Sequence, residues 1–234
     1  MGESDLPKLI PAHLGFIMDG NRRWAKAKGL PTLEGHRRGF DRVIDLVDSA
    51  LEHKVPHVTI YAFSTENWDR DPKEIKYLMD LFRRMFTVHV KKLDKKGVKV
   101  VVAGRIEDFE EDIQDKIHQA MADTKGNDKL TLNIAFSYGG RPEIVDATKR
   151  IIADGLKPNE ISEEKFSEYL YEKGQPDLDM VVRTSGEQRI SGFMLWQSAY
   201  AEFYFIEQCW PDFDAKSFDD VVAEYNRRER RFGK

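Results

Sequence analysis

The chain has 234 residues, with 37 Lys and Arg against 41 Asp and Glu, a net charge of −4, which excludes a general polyanion binder but leaves room for a local basic patch. Hydrophobic residues at 41% and charged residues at 33% describe a globular chain and not a disordered one. A single cysteine, Cys209, excludes an internal disulfide and any multi-cysteine metal site. No run approaches the ~18 apolar residues of a membrane span, and the N-terminus lacks the long apolar core of a signal peptide. A cytoplasmic protein is expected. No repeat and no Pro/Gly/Ser-rich linker divides the chain, so residues 1–234 read as one domain.

Residues 13–18 form the first strand-like run, broken by Gly20. Phe40, Val43, Ile44, Val47 and Leu51 then recur at helical spacing. The second strand covers 57–63, rich in β-branched and aromatic residues. A helix follows, with Ile75, Leu78, Met79, Phe82, Met85 and Phe86 on its apolar stripe. Asp71 can cap it, Pro72 suits its first turn, and Glu74 stands where a capping box places its acid. Next come a strand over 98–103, a helix over 107–125 and a strand over 130–136. Helices over 141–154 and 163–171, short strands over 179–182 and 202–206, and a helix over 216–228 complete the chain. This alternation predicts an α/β fold with a mostly parallel sheet covered on both faces. Ligands in such folds sit beyond the carboxyl ends of the strands.

The residues that follow the strands share a character. After the first come Asp19-Gly20-Asn21-Arg22-Arg23-Trp24, where an acid and a flexible Gly precede the amides and arginines of a helix start, a natural anion site. After the second comes Ser64-Thr65-Glu66-Asn67-Trp68-Asp69-Arg70; after the fourth, Ser137-Tyr138-Gly139-Gly140-Arg141. After the fifth, Arg183 and Arg189 bracket small hydroxyl residues and lead to Ser191, a plausible diphosphate clamp because the planar Arg fork binds oxygens in pairs. Each segment alone also suits an ordinary polar turn. Together, in an acidic protein, they place anion donors at four strand ends and point to a phosphate or diphosphate ligand.

These segments resemble the cis-prenyltransferases, the family of undecaprenyl diphosphate synthase. The resemblance runs nearly the length of the chain, through Met18-Asp19-Gly20-Asn21-Arg22-Arg23-Trp24, Glu34-Gly35-His36, Phe63-Ser64-Thr65-Glu66-Asn67-Trp68, Tyr138-Gly139-Gly140-Arg141, Arg183-Thr184-Ser185-Gly186-Glu187, Leu195-Trp196-Gln197 and Trp210-Pro211-Asp212-Phe213. It implies an open, mostly parallel six-stranded sheet ringed by helices, with a hydrophobic tunnel, in a homodimer. It also implies the reaction: isopentenyl diphosphate condenses with an allylic diphosphate, farnesyl or geranylgeranyl, to give a medium-chain Z-polyprenyl diphosphate such as undecaprenyl diphosphate.

By the same resemblance Asp19 and Glu202 hold Mg²⁺, and Asp19 and Asn67 are catalytic. Gly20, Asn21, Arg22, Arg23, Trp24 and His36 belong to the allylic diphosphate site, Asn21 also being tied to proton removal. Ser64, Asn67 and Arg70 match a loop that closes over substrate, while Trp24 and Trp68 also suit packing around it. Arg183, Arg189 and Ser191 match the isopentenyl diphosphate site, which the terminal Arg231-Phe232-Gly233 reaches across the dimer. One departure stands out: Thr32 occupies a position where the family usually has Arg, and can instead cap the following helix. Small Ala62, and no long insertion after Phe86, point to a product of ten or eleven isoprene units, although Met85 and Phe136 are bulky enough to shorten the tunnel. The alternatives are a short-chain Z-prenyl diphosphate synthase and a non-catalytic partner subunit, the latter disfavoured by Asp19. An unrelated phosphohydrolase lacks its motif here, and no RNA-binding motif supports a nucleic-acid role. The hydrophobic product implies peripheral membrane contact on release.

Overall fold

The computed structural model describes residues 9–228. Strands β1 (His13–Ile17), β2 (His57–Ser64), β3 (Val98–Ala103), β4 (Leu130–Tyr138), β5 (Met180–Arg183) and β6 (Glu202–Phe205) form one six-stranded sheet. Its order is β3-β4-β2-β1-β5-β6, and every neighbouring pair is parallel. All six strands lie where the alternating pattern places them. The chain leaves β1 toward β2 on one side and returns to β5 on the other. The crevice beyond the ends of β1 and β5 is therefore a topological switch point, where open α/β sheets bind ligands.

Around the sheet run α1 (Asn21–Ala27), α2 (Thr32–Glu52), α3 (Pro72–Arg84), α4 (Val90–Lys95), α5 (Glu111–Asp123), α6 (Gly140–Ala153), α7 (Glu163–Ser167) and α8 (Ala215–Arg227). Asp71 caps α3 by accepting from the Lys73 amide at 2.8 Å, with Pro72 in the first turn. Two expectations change here. Glu74 does not close a capping box, because its carboxylate is drawn to His36 and Arg70. Thr32 does not cap α2; it is the first helical residue, behind Pro31, and no side chain caps that end.

Three helices differ from the periodic reading. The helix whose apolar stripe runs from Ile75 to Phe86 passes at Met85–His89 into a π-helical turn and on into α4. The helix expected over 107–125 is a 3-10 turn, Ile106–Asp108, then α5, because Phe109 breaks away to stack on Phe136 at 4.0 Å. The helix expected over 163–171 stops at Ser167, where the hydroxyls of Tyr169 and Tyr171 turn to Asp154 and Asp146.

The two faces of the sheet are unlike. Leu14, Phe16, Val58, Ile60, Leu132, Ile134 and Phe136 belong to a large apolar cluster shared with α2, α3, α5 and α8. Opposite lies a smaller cluster with Ile17, Ala135, Val181 and Phe193, beside buried polar groups. There His13 Nε2 meets Thr59 Oγ1 at 2.7 Å, and the Thr59 hydroxyl donates to Glu172 at 3.3 Å. Burial and the nearby Glu143 push the Glu172 carboxyl up to about 8, against the Thr59 hydrogen bond.

Candidate active site

Beyond the ends of β1 and β5 opens a cleft of about 1150 Å³, above the ~300–1,000 Å³ common for small-molecule sites. Its mouth carries Asp19, Gly20, Asn21, Arg22, Arg23, His36, Ser64, Asn67, Arg70, Arg183 and Ser191; its interior is lined by Ile60, Ala62, Leu78, Phe82, Met85, Phe86, Ile134 and Phe136. A charged rim thus opens onto an apolar interior.

Asp19 is the centre of the rim. Its Oδ1 accepts from the Gly20 amide at 2.7 Å, and its Oδ2 accepts from Arg183 at 2.9 Å and Arg23 at 3.2 Å. Burial alone would raise its pKa, but the Arg183 hydrogen bond, the Gly20 amide and both guanidinium charges together hold it below the usual carboxylate range. The group is ionised at neutral pH and oriented before any ligand arrives. Gly20 makes this turn with φ +100°, and a Cβ there would stand 2.8 Å from Ser185 and 2.9 Å from Cys209 Sγ. Asn21 is seated by a second close approach: a Cβ on Gly39 of α2 would lie 2.1 Å from Asn21 Oδ1.

Arg183 is 5% exposed. It donates to Asp19 and also to the Arg189 carbonyl at 2.5 Å and Ser191 Oγ at 2.9 Å, while its buried Nε has no partner among the described residues. Arg23 bridges from Asp19 to the Ser185 carbonyl at 2.9 Å and Glu187 at 3.0 Å. The β5 loop and the β1 loop are therefore tied through two arginines around one carboxylate.

A second cluster stands across the mouth. His36 Nε2 lies 3.0 Å from Glu74 Oε1, which also accepts from Arg70 at 3.0 Å. Burial lowers the His36 pKa; Glu74 opposes the shift, and the charges of Arg70 and Arg22 add to it. Arg70 follows a 3-10 turn, Thr65–Asp69, in which Asn67 Oδ1 accepts from the Ser64 amide at 3.1 Å.

Sequence reasoning missed Glu74. A signal was present: Glu74, Leu78, Leu81 and Met85 share the buried face of one helix stripe, and an acid in that register needs a partner. The bulge in β2 was also missed. Tyr61 pairs with Ala135 and Phe63 with Phe136, so Ala62 is the extra residue, set into the cleft wall.

Not every expected residue reaches the cleft. Trp24 is buried, donates from Nε1 to Asp212 at 2.7 Å, and does not line the cleft; it is a packing residue. Arg189 pairs with Glu187 and points to solvent. Glu202 begins β6, in register with Met180, so it lies toward the opposite edge of the sheet from Asp19; its carboxylate accepts from Arg228 at 2.7 Å. The two carboxylates do not meet within one chain. Arg231 and Gly233 lie outside the described residues.

The mouth fits a magnesium ion in the sparse manner that ion favours, through one or two carboxylates plus substrate phosphate oxygens and water. Asp19, ionised and half-buried, is the donor placed for it. Among the described residues no group of three His, Cys, Asp or Glu side chains is arranged to hold a metal unaided, and no helix is long and apolar enough to cross a membrane.

Comparison with known proteins agrees with this geometry. The prenyltransferase family model of the undecaprenyl diphosphate synthases matches residues 17–233. An isoprenyl transferase of Fusobacterium nucleatum is 49% identical over 97% of this chain and 98% of its own length. A ditrans,polycis-undecaprenyl-diphosphate synthase of Pasteurella multocida, named as specific for (2E,6E)-farnesyl diphosphate, is 46% identical over 97% of this chain and 96% of its own. Lavandulyl diphosphate synthase from Lavandula x intermedia, solved with dimethylallyl diphosphate, superposes with a TM-score of 0.92 at 33% identity, over 96% of this chain and 98% of that one. With its strand-end motifs gathered at one cleft and its relatives matched end to end, the chain belongs to the undecaprenyl diphosphate synthase family of cis-prenyltransferases.

Proposed function

We propose that this chain condenses isopentenyl diphosphate with an allylic diphosphate, farnesyl or geranylgeranyl, and repeats the step to a medium-chain Z-polyprenyl diphosphate. The observation that carries the reading is the junction of an arginine-bound carboxylate, Asp19, with an apolar cleft of about 1150 Å³. The Gly20–Arg23 segment binds the allylic diphosphate, and Arg183 with Ser191 binds isopentenyl diphosphate beside it. The allylic C–O bond breaks as the isopentenyl double bond attacks that carbon. A proton leaves the isopentenyl unit, and inorganic diphosphate departs.

Arginines fixed before the reaction stabilise negative charge as it gathers on the leaving group. Asp19 is the residue that would hold Mg²⁺, which when bound would supply Lewis-acid neutralisation of that charge. Asn67, fixed by the Ser64 amide, keeps its NH₂ for substrate; Arg70 adds positive charge at the mouth, and His36, its pKa lowered by burial, adds an imidazole beside it. Each tail methylene drawn from water contributes ~0.8 kcal/mol, so growth into the interior favours elongation. Ala62 leaves that passage open, while Phe136, 4.4 Å from Phe82 between ring centres, narrows it further in.

Glu202 can join a magnesium site only from a second copy of the chain. It lies on the edge strand β6, beside Tyr200, which is 83% exposed. A homodimer through that edge, with the terminal Arg231 and Gly233 completing the isopentenyl site, is part of this reading, as is a single domain over 1–234. The test is mass analysis of the product from purified protein, isopentenyl diphosphate, farnesyl diphosphate and Mg²⁺. The reading predicts products of fifty to fifty-five carbons; a fifteen-carbon product overturns the chain length, and release of phosphate without elongation overturns the activity.

A further inference from the structure

The turn Thr65–Asp69 has two sides. Ser64, Glu66, Asn67 and Arg70 border the cleft. Trp68 points away, its ring 4.9 Å from Phe63 and 5.2 Å from Phe109 between centres. Its indole N–H donates to Ser137 Oγ at 2.9 Å. The Ser137 hydroxyl in turn donates to Asp108 Oδ2 at 2.5 Å. A hydroxyl has one hydrogen and two lone pairs. With its hydrogen committed to Asp108, Ser137 must offer a lone pair, and the indole takes it.

Ser137 is an unusual place for this contact. It is fully buried and holds φ +45° at the tip of β4, a conformation that costs a non-glycine residue energy. Its carbonyl accepts from the Arg105 amide at 3.3 Å, and the Arg105 guanidinium forks onto Asp146 of α6 at 2.8 and 3.1 Å. The acceptor for Trp68 is thus anchored to the strand tip and, through the next loop, to α6.

We propose that Ser137 and Asp108 are positioning residues for the reaction, acting through Trp68 to fix the turn that carries Asn67 and Arg70 over the cleft. This rests on the reading that Asn67 and Arg70 touch the diphosphate substrates. Neither Ser137 nor Asp108 touches them. Asp108 orients one hydroxyl, that hydroxyl holds one indole, and the indole sets the far side of the turn.

The test is steady-state kinetics on the full chain with both diphosphates and Mg²⁺. Ser137→Gly removes the hydroxyl while relieving the backbone, so it keeps the fold. Asp108→Ala removes the acceptor, and Asp108→Asn keeps an oxygen in its place. Trp68→Phe keeps the ring and removes the N–H. The proposal expects KM for the diphosphates to rise at least fivefold in Ser137→Gly and Asp108→Ala, with kcat falling less than twofold. Asp108→Asn should stay within twofold of the parent. Ser137→Gly combined with Trp68→Phe should be no worse than either alone, because both break one contact. A lowered Tm with unchanged KM overturns the proposal, and so do additive effects of Ser137→Gly and Trp68→Phe. If the parent chain elongates normally and the variants match it, this inference alone fails; if the parent does not elongate, the reading of the site fails first.

Discussion

The mouth and the interior of the cleft are built on opposite rules. At the mouth two carboxylates gather polar partners: Arg183 and Arg23 on Asp19, Arg70 and His36 on Glu74. In the interior Ile60, Phe82, Phe86, Ile134 and Phe136 meet by shape alone. A mouth of fixed dipoles can stabilise one developing charge. An interior without directional contacts tolerates a tail that changes length at every cycle. A mutation at the mouth should therefore change rate, and one in the interior should change product.

Asp19→Ala is the strongest way to break that division. Loss of the carboxylate should remove ~3 kcal/mol or more of transition-state stabilisation, about a hundredfold in turnover. Initial rates of labelled isopentenyl incorporation check this, and near-parental turnover would refute the role. Ala62→Leu is the complementary change. Bulk at the β2 bulge should shorten the product by several isoprene units while the first condensation keeps its rate within a few-fold, as chromatography of the products would reveal. An unchanged product ladder would mean that the tail takes another path.

Glu74→Gln sharpens the picture within the mouth. His36 is already lowered by burial, and Glu74 opposes that shift. Removing the carboxylate should lower the imidazole midpoint further, measurable by NMR titration, with a several-fold loss of activity; an unchanged or raised midpoint contradicts the pairing. The smallest effect on activity belongs to the far face of the sheet. Glu172 is held near 8 against an ordinary value of 4.5. Between those values the folded chain binds the extra proton, so stability falls as pH rises through that window. Glu172→Gln removes this dependence, so thermal melts should show its Tm advantage widening from pH 6 to pH 9, with product length unchanged.

Much of the fold was legible because strand patterns and caps are local. The β1 run, the Asp71-Pro72 helix start and the Asp19-Gly20 turn each announce themselves within a few residues. The charged rim was legible for the same reason, as arginines recurring at strand ends. What escaped depends on distance in space. Glu74 resembled a cap residue until His36, thirty-eight positions away, took its carboxylate. Trp24 sits inside a substrate motif, yet its indole is spoken for by Asp212. Glu202 was placed with Asp19 by resemblance, but it opens its strand, and a parallel sheet sends strand starts and strand ends to opposite edges. The π-helical turn at Met85–His89 leaves no mark in the apolar period, because Met85 and Phe86 remain on the buried side.

The most direct measurement is a crystal structure with Mg²⁺ and a non-hydrolysable farnesyl diphosphate analogue. The account predicts the diphosphate on the Gly20–Arg23 turn beside Asp19, with the tail running between Ile60 and Phe136. A diphosphate seated on the outer arginines Arg105 and Arg150, or a tail lying along the Glu172 face of the sheet, would contradict it.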